Sequence, residues 1–258
     1  MRLDEYLVGV ILAEMPTTYD HEAICAQAVV ARTYALKRQG SKRHPQGAVC
    51  TDARCCQAYI EVAQFLDGLG YAEDVEIANA AIVSTKNQVV TYDGQLIEAT
   101  YYHCSGGYTE NAMVVWGVDY PYLQAVESPG EEEMDGYYQC TFYSRADLES
   151  LMERQLPGSP SSWLGWQTYT PGKGVETMIF AGVTYSGVQL RSLLNLNSTI
   201  FSMEAEGDGL LITTYGKGHR VGMSQTGAEV MAQRGCTWQE IIAHYYPGTR
   251  IDKMQDVG

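Results

Sequence analysis

Positive charge is scarce in this sequence: 17 Lys and Arg stand against 31 Asp and Glu, for a net charge of −14. Nucleic acid and anionic lipid both need a basic footprint, so neither is expected as the main partner. Long apolar runs are missing as well. No stretch approaches 18 consecutive apolar residues, and the first residues lack the basic, apolar and small-residue succession of a secretory signal. The cysteines show no regular pairing. Their count of seven is odd, and Cys25, Cys104, Cys140 and Cys236 are scattered, which argues against a disulfide framework. Phenylalanine is rare, 4 against 19 Tyr, so most aromatic rings carry a polar tip suited to surfaces and clefts, including carbohydrate grooves and protein contacts. No internal repeat is visible. What remains is an ordinary globular composition, 45% apolar and 19% charged over 258 residues, long enough for one large domain or two small ones. Because a periodic helix begins almost at Met1, an upstream anchor or leader is expected to lie outside this chain.

Within that first helix, Leu3, Tyr6, Leu7, Val10 and Ile11 recur at helical spacing, and continuing the stripe lands on Glu14. Pro16 biases Met15 away from helical geometry, which puts Glu14 in the last turn, where the helix dipole disfavours negative charge. Desolvation by the stripe acts in the same direction. Both raise a carboxyl pKa and suit a general acid at neutral pH. The alternative is a Glu that snorkels to solvent or pairs with an Arg.

A second helix is predicted from an Asp20 N-cap to Arg38, closed by Gly40. Its inward stripe is Ile24, Ala28, Ala31 and Ala35, with Gln27 beside it and Arg32 and Tyr34 flanking it. A helical stretch over 75–85 leads into a hairpin, 88–92 and 95–102, turned by Asp93-Gly94. Residues 127–140 are acidic and turn-rich and read as an exposed excursion. Further on come a helix over 144–155, short strands with a turn and helix at 187–194, a strand over 210–215, a Gly-rich turn over 216–222, and helices over 224–234 (capped by Gly235) and 237–244. Helices alternating with hairpins, without regular βαβ units, indicate an α+β fold of helices packed with short antiparallel sheets.

His44, Cys50, Cys55 and Cys56 place one imidazole and three thiols in a loop that contains Pro45 and Gly47. Zinc takes four N or S ligands in a tetrahedron, and such a loop can wrap them round one ion. Adjacent Cys55 and Cys56 both ligate only if the backbone turns there, since an extended strand points neighbours apart. A Cys50–Cys56 disulfide or free buried thiols are the alternatives. Four protein ligands leave no open position for water, so such an ion is structural.

Two polar, Gly-rich segments complete the inventory. In 101–107, with Thr109 and Glu110 behind it, Ser105, Gly106 and Gly107 bring a hydroxyl and approachable N–H groups. In 218–227, a turn containing His219 opens a helix whose free N–H groups, with the Ser224 and Gln225 side chains, can bind sugar hydroxyls or acetamido oxygens. Either segment can equally be a plain connection. Cys104 beside His103 is a poor nucleophile and base pair, because adjacent residues on a strand face opposite sides.

Taken in order, Tyr6-Leu7 through Ala13-Glu14-Met15-Pro16, Ala26-Gln27-Ala28 through Ala31-Arg32-Thr33-Tyr34, and Cys56-Gln57-Ala58-Tyr59 form one series. It continues with Ser105-Gly106-Gly107, Thr109-Glu110, Tyr120-Pro121-Tyr122-Leu123, Ser186-Gly187-Val188, Arg191-Ser192, and Gly218-His219 through Gly227. The whole resembles the sporulation stage II protein D family, lytic transglycosylases of endospore formers. The resemblance implies one catalytic domain over 1–258. It also implies cleavage of peptidoglycan strands between N-acetylmuramic acid and N-acetylglucosamine, on strands already stripped of peptide, with 1,6-anhydro ends, during engulfment. It makes Glu14 the general acid and base, and His44, Cys50, Cys55 and Cys56 the ligands of a structural zinc ion within a 41–58 loop. Some members carry His where Cys55 stands. Gln27, Arg32, Ser105, Gly106, His219, Ser224 and Gln225 are expected to line the glycan groove. The implied partners are glycan strands, a cell-wall amidase and other engulfment proteins, on the extracytoplasmic face of the mother-cell membrane. The family also contains amidase enhancers, which bind wall material and stimulate another hydrolase. A scaffold with the acidic 131–135 stretch as a docking surface is a third reading.

Overall fold

The computed structural model describes residues 1–256 apart from 40, 43, 45–48, 54 and 69. The chain divides into two compact units, residues 1–101 with 228–258, and residues 102–227. Both mix helices with short antiparallel sheets, the α+β class expected.

In the first unit, helix α1 (Leu3–Glu14) is buried on every face from Tyr6 to Ile11. It is a core helix where the sequence pattern suggested a one-sided stripe. Helix α2 (His21–Arg38) begins at Asp20, whose side chain accepts from the Glu22 N–H at 2.9 Å, as expected of an N-cap. Its C-cap is Gln39; the Gly40 stop lies outside the described residues. Ile24, Ala28, Ala31 and Ala35 are buried, and their small volume lets α2 lie close to its neighbours. Helix α3 (Val62–Gly68) and helix α4 (Ala72–Ser84) follow, the latter starting three residues before the expected 75.

Strand β1 (Gln88–Tyr92) and strand β2 (Gln95–Leu96) form the expected hairpin. Asp93 and Gly94 turn it with φ of 50° and 74°, the left-handed pair that a tight two-residue turn requires. The second strand is shorter than its sequence suggests. The other edge of β1 is filled by a strand, Arg250–Lys253, that reaches it from the far end of the chain. A helix, Trp238–Tyr245, capped by Thr237 with Glu240, ties back to α2 through the Trp238 N–H and the Glu22 carboxylate at 2.7 Å.

The second unit holds two three-stranded sheets. One orders Tyr138–Ser144, Gly209–Tyr215 and Ile200–Glu206; the other orders Leu164–Tyr169, Val175–Phe180 and Val183–Ser186. Between them and the helices Arg145–Met152 and Gly187–Leu193 lies a core built on Trp163, Phe180, Leu190 and Leu210. The expected excursion over 127–140 is not wholly exposed: Ser128, Gly130 and Glu131 are buried, and a strand starts inside it at Tyr138.

Glu131 is 0% exposed. Its carboxylate accepts from the Cys104 thiol, the Ser105 N–H and hydroxyl, the Gly106 N–H, and the Ser128 and Ser224 hydroxyls, at 2.5–3.2 Å. A buried carboxylate is tolerated on these terms, with donors filling its lone pairs. Among the described residues no helix is long and apolar enough to cross a membrane.

Candidate functional site

Gly9 sets up the site. A Cβ there would stand 2.4 Å from the Tyr59 ring and 2.5 Å from the Ile60 carbonyl oxygen. Without one, the 57–60 segment runs directly along α1, where the Ile60 N–H donates to the Gly9 carbonyl at 3.1 Å and Tyr59 stacks on Tyr6 at 5.6 Å. One turn further along α1 sits Glu14, half-buried, and the Ala58 N–H donates to its Oε1 at 2.7 Å.

Two tyrosines close on the same point. The Tyr101 hydroxyl donates to the Gln57 amide oxygen at 2.9 Å and also interacts with the Glu14 carboxylate. Burial, then the Glu14 charge, hold its pKa well above the ordinary value, so it stays a phenol and a donor. The Gln57 amide nitrogen donates to the Tyr6 hydroxyl at 3.3 Å, and burial lifts Tyr6 to about 12. Gln57, Ala58 and Tyr101 were not picked out by residue type. The signal that finds Gln57 and Ala58 is their position immediately after Cys56.

That cysteine belongs to the predicted metal loop. The ligand atoms of His44, Cys50, Cys55 and Cys56 all lie within 4.8 Å of one another, and the His44 Nε2 is 3.1 Å from the Cys56 sulfur and 3.5 Å from that of Cys55. The condition on the adjacent cysteines is met: the N–H groups of Cys55 and Cys56 both donate to the Asp52 carbonyl, at 2.9 and 2.8 Å, so the backbone turns there. Burial pushes the Cys56 thiol up to about 11, while a backbone hydrogen bond from Asp52 lowers Cys50. All seven cysteines are free thiols. One nitrogen and three sulfurs at this spacing can hold a metal ion, and this N and S donor set is of the kind that zinc takes.

The other expected residues are distributed as follows. Arg32 is 1% exposed and spends its guanidinium on the carbonyls of Ile82, Thr85 and Gln88 at 2.9–3.3 Å, across the end of α4 and the start of β1. This is a cation on a helix C-terminus. Gln27 is 0% exposed, and its amide has no hydrogen-bond partner among the described residues. In the second unit Ser105, Gly106 and Ser224 surround Glu131, and Gln225 is buried with its amide nitrogen unpartnered. His219 packs between Tyr102 and Trp116, ring centres 5.4 and 5.1 Å away, and its Nδ1 accepts from the Val221 N–H at 3.1 Å. In the neutral ring the proton therefore sits on Nε2. Cys104 gives its thiol to Glu131, and burial takes it up to about 12, far from a nucleophile.

The family model described as "Stage II sporulation protein" matches residues 1–92, which include Glu14 and the His44, Cys50, Cys55 and Cys56 cluster. The chain is 37% identical over 257 residues to stage II sporulation protein D of Bacillus subtilis (strain 168), covering 97% of this chain and 74% of that protein. It is 34% identical to stage II sporulation protein D of Bacillus amyloliquefaciens, with the same coverage. To the amidase enhancer of Bacillus subtilis (strain 168) it is 27% identical over 303 residues, 95% of this chain and 40% of the enhancer.

Proposed function

The chain belongs to the stage II sporulation protein D family, and from that premise we propose that it is a peptidoglycan lytic transglycosylase acting through Glu14. Its substrate is the glycan strand freed of peptide, cut between N-acetylmuramic acid and N-acetylglucosamine. The observation that supports this most is the setting of Glu14: a half-buried carboxyl within reach of a backbone N–H and a protonated Tyr101.

The chemistry needs one carboxyl. A two-carboxylate glycosidase uses its second group as nucleophile or base; here the substrate's own C6 hydroxyl takes that part. Glu14 in its acid form gives its proton to the glycosidic oxygen as the C1–O bond breaks. The carboxylate so formed is stabilised by the Ala58 N–H, and by the Tyr101 hydroxyl once its one proton turns from the Gln57 amide oxygen to Glu14. It then accepts the proton of the C6 hydroxyl as that oxygen bonds to C1. The proton count closes without water, and the product is a 1,6-anhydro end. Proton transfer of this kind contributes roughly 10²–10⁴ in rate.

His44, Cys50, Cys55 and Cys56 would hold zinc, which supplies cross-linking of the loop and, with four protein ligands, no open coordination position. The residues then do the work: Cys56 anchors Gln57 and Ala58, which reach Glu14 and Tyr101. Gln27, Arg32, Ser105, Gly106, Ser224 and Gln225 we assign to the frame behind the glycan contacts, since their polar groups are buried, and His219 to the contacts themselves. Residues 1–258 act as one catalytic domain in this reading, on the extracytoplasmic face of the mother-cell membrane during engulfment, beside an amidase that strips the strands.

A second reading, a non-catalytic module that binds wall material and stimulates a partner amidase, is favoured by the likeness to the amidase enhancer. Mass spectrometry of peptide-free strands incubated with this chain or with Glu14→Gln separates the two. Products lighter by one water, formed by the unaltered chain alone, are expected. Reducing ends would mean a hydrolase, and no products from either chain would favour the enhancer.

A further inference from the structure

The 102–227 unit has a cleft of its own, about 460 Å³, lined by Val115, Trp116, Val188, Arg191, Ser192 and His219 among others. Trp116 ends a short helix, and Gly117 turns away after it with φ of 71°. This leaves the indole 42% exposed, its edge held by the His219 ring. An exposed tryptophan braced from behind is a platform for the C–H face of a sugar.

Arg191 makes the cleft specific. Its guanidinium has no ion pair and no hydrogen bond among the described residues, and its Nε is buried without a partner. The other buried or half-buried arginines among the described residues are engaged: Arg32 on three carbonyls, Arg220 on the carbonyls of Ser105 and Tyr108 and beside Glu110, Arg145 on Asp208, Arg38 on Glu98, and Arg154 on the carbonyls of Phe180 and Ala181. Burial acts on Arg191 with no acidic group to offset it. A guanidinium half out of water and unpaired is costly unless an anion arrives, and its planar fork matches a carboxylate with two parallel hydrogen bonds.

We propose that this cleft is a subsite for an acidic amino sugar, in which Arg191 pairs with the lactyl carboxylate of N-acetylmuramic acid while the sugar ring lies on Trp116. The inference rests on the glycan reading above and gives it a means of selection. On a peptide-bearing strand the lactyl carboxyl is tied up as an amide and carries no charge. Hydrolysis of that amide releases the carboxylate, so Arg191 meets its partner only on stripped strands.

The test is a nuclear magnetic resonance titration of the full chain, followed at the Trp116 indole and Arg191 Nε–H signals. The probes are free N-acetylmuramic acid, its lactyl methylamide and N-acetylglucosamine. The acid is expected to bind at least tenfold more tightly than the other two, about 1.4 kcal/mol, and Arg191→Gln to abolish that preference. Equal affinity of the three probes for the unaltered chain, which needs no variant to fold, overturns the proposal. So does a preference that survives Arg191→Gln. If strands are cleaved but the preference is absent, the subsite alone falls. If the preference holds while Glu14→Gln still cleaves, the subsite stands and the Glu14 reading falls.

Discussion

At the scale of single residues, Gly9 decides more than its size suggests. Two effects oppose each other when alanine replaces it. Helix propensity favours Ala over Gly by about 1 kcal/mol, but the added methyl would meet the Tyr59 ring and the Ile60 carbonyl at 2.4 and 2.5 Å, and overpacking of this kind costs about 1–3 kcal/mol. The steric term wins because one of the obstacles is backbone. Gly9→Ala is therefore expected to lower the melting temperature and to displace the Ala58 N–H from Glu14. Turnover of peptide-free strands, assayed well below the melting point, should fall at least tenfold. A more stable or fully active Gly9→Ala chain would show that the 57–60 segment does not hold the carboxyl. Glu131 makes the complementary point: one buried acid among the exposed Glu132 and Glu133 has every donor it needs.

At the scale of elements, Arg32 joins the carbonyls of Ile82, Thr85 and Gln88 where α4 ends and β1 begins, Thr85 accepting from the Gln88 N–H as well. Hydrogen bonds to charged groups contribute about 1.5–3 kcal/mol each, and their loss leaves buried acceptors unpaired. Arg32→Met is expected to destabilise the chain by about 2–4 kcal/mol in urea unfolding, with kcat of the folded fraction within twofold of the parent. A large loss of kcat with unchanged stability would return Arg32 to the glycan contacts. Helices and hairpins of this kind were legible in the sequence because caps and turns are local: Asp20 announces its helix and Asp93-Gly94 its hairpin. The cluster of His44, Cys50, Cys55 and Cys56 was legible for the same reason, since its four residues stand close together in the chain. What was not legible depends on partners far away. The pairing of Arg250–Lys253 with β1, the burial of Glu131, and the Tyr101 contact to Glu14 all join residues that only the folded chain brings near. Ser105 and Ser224 carry the residue types of a sugar site, and the sequence alone does not reveal that Glu131 occupies them.

At the scale of the molecule, the two units should respond differently to loss of metal. Structural zinc contributes on the order of 10 kcal/mol to ordering its site, and the His44, Cys50, Cys55 and Cys56 cluster lies wholly in the first unit. A chelator is expected to raise hydrogen exchange over 49–60 and around Glu14, to lower the melting temperature and to suppress turnover, while the sheets of 102–227 keep their protection. Cys50→Ser should reproduce this without chelator, and unchanged melting and metal content in that variant would remove zinc from the account. The division of the chain has one more consequence, which concerns time. The unit that contains Glu14 is built from both ends of the sequence, and β1 is not flanked on both sides until Arg250–Lys253 has been made. Residues 102–227 are complete more than twenty residues earlier in synthesis, and long-range strand pairing is the slow step of folding. A nascent or truncated chain can thus carry a finished second unit while β1 still lacks one neighbour, so the unit that holds Glu14 closes its sheet only after residues 250–253 have been made.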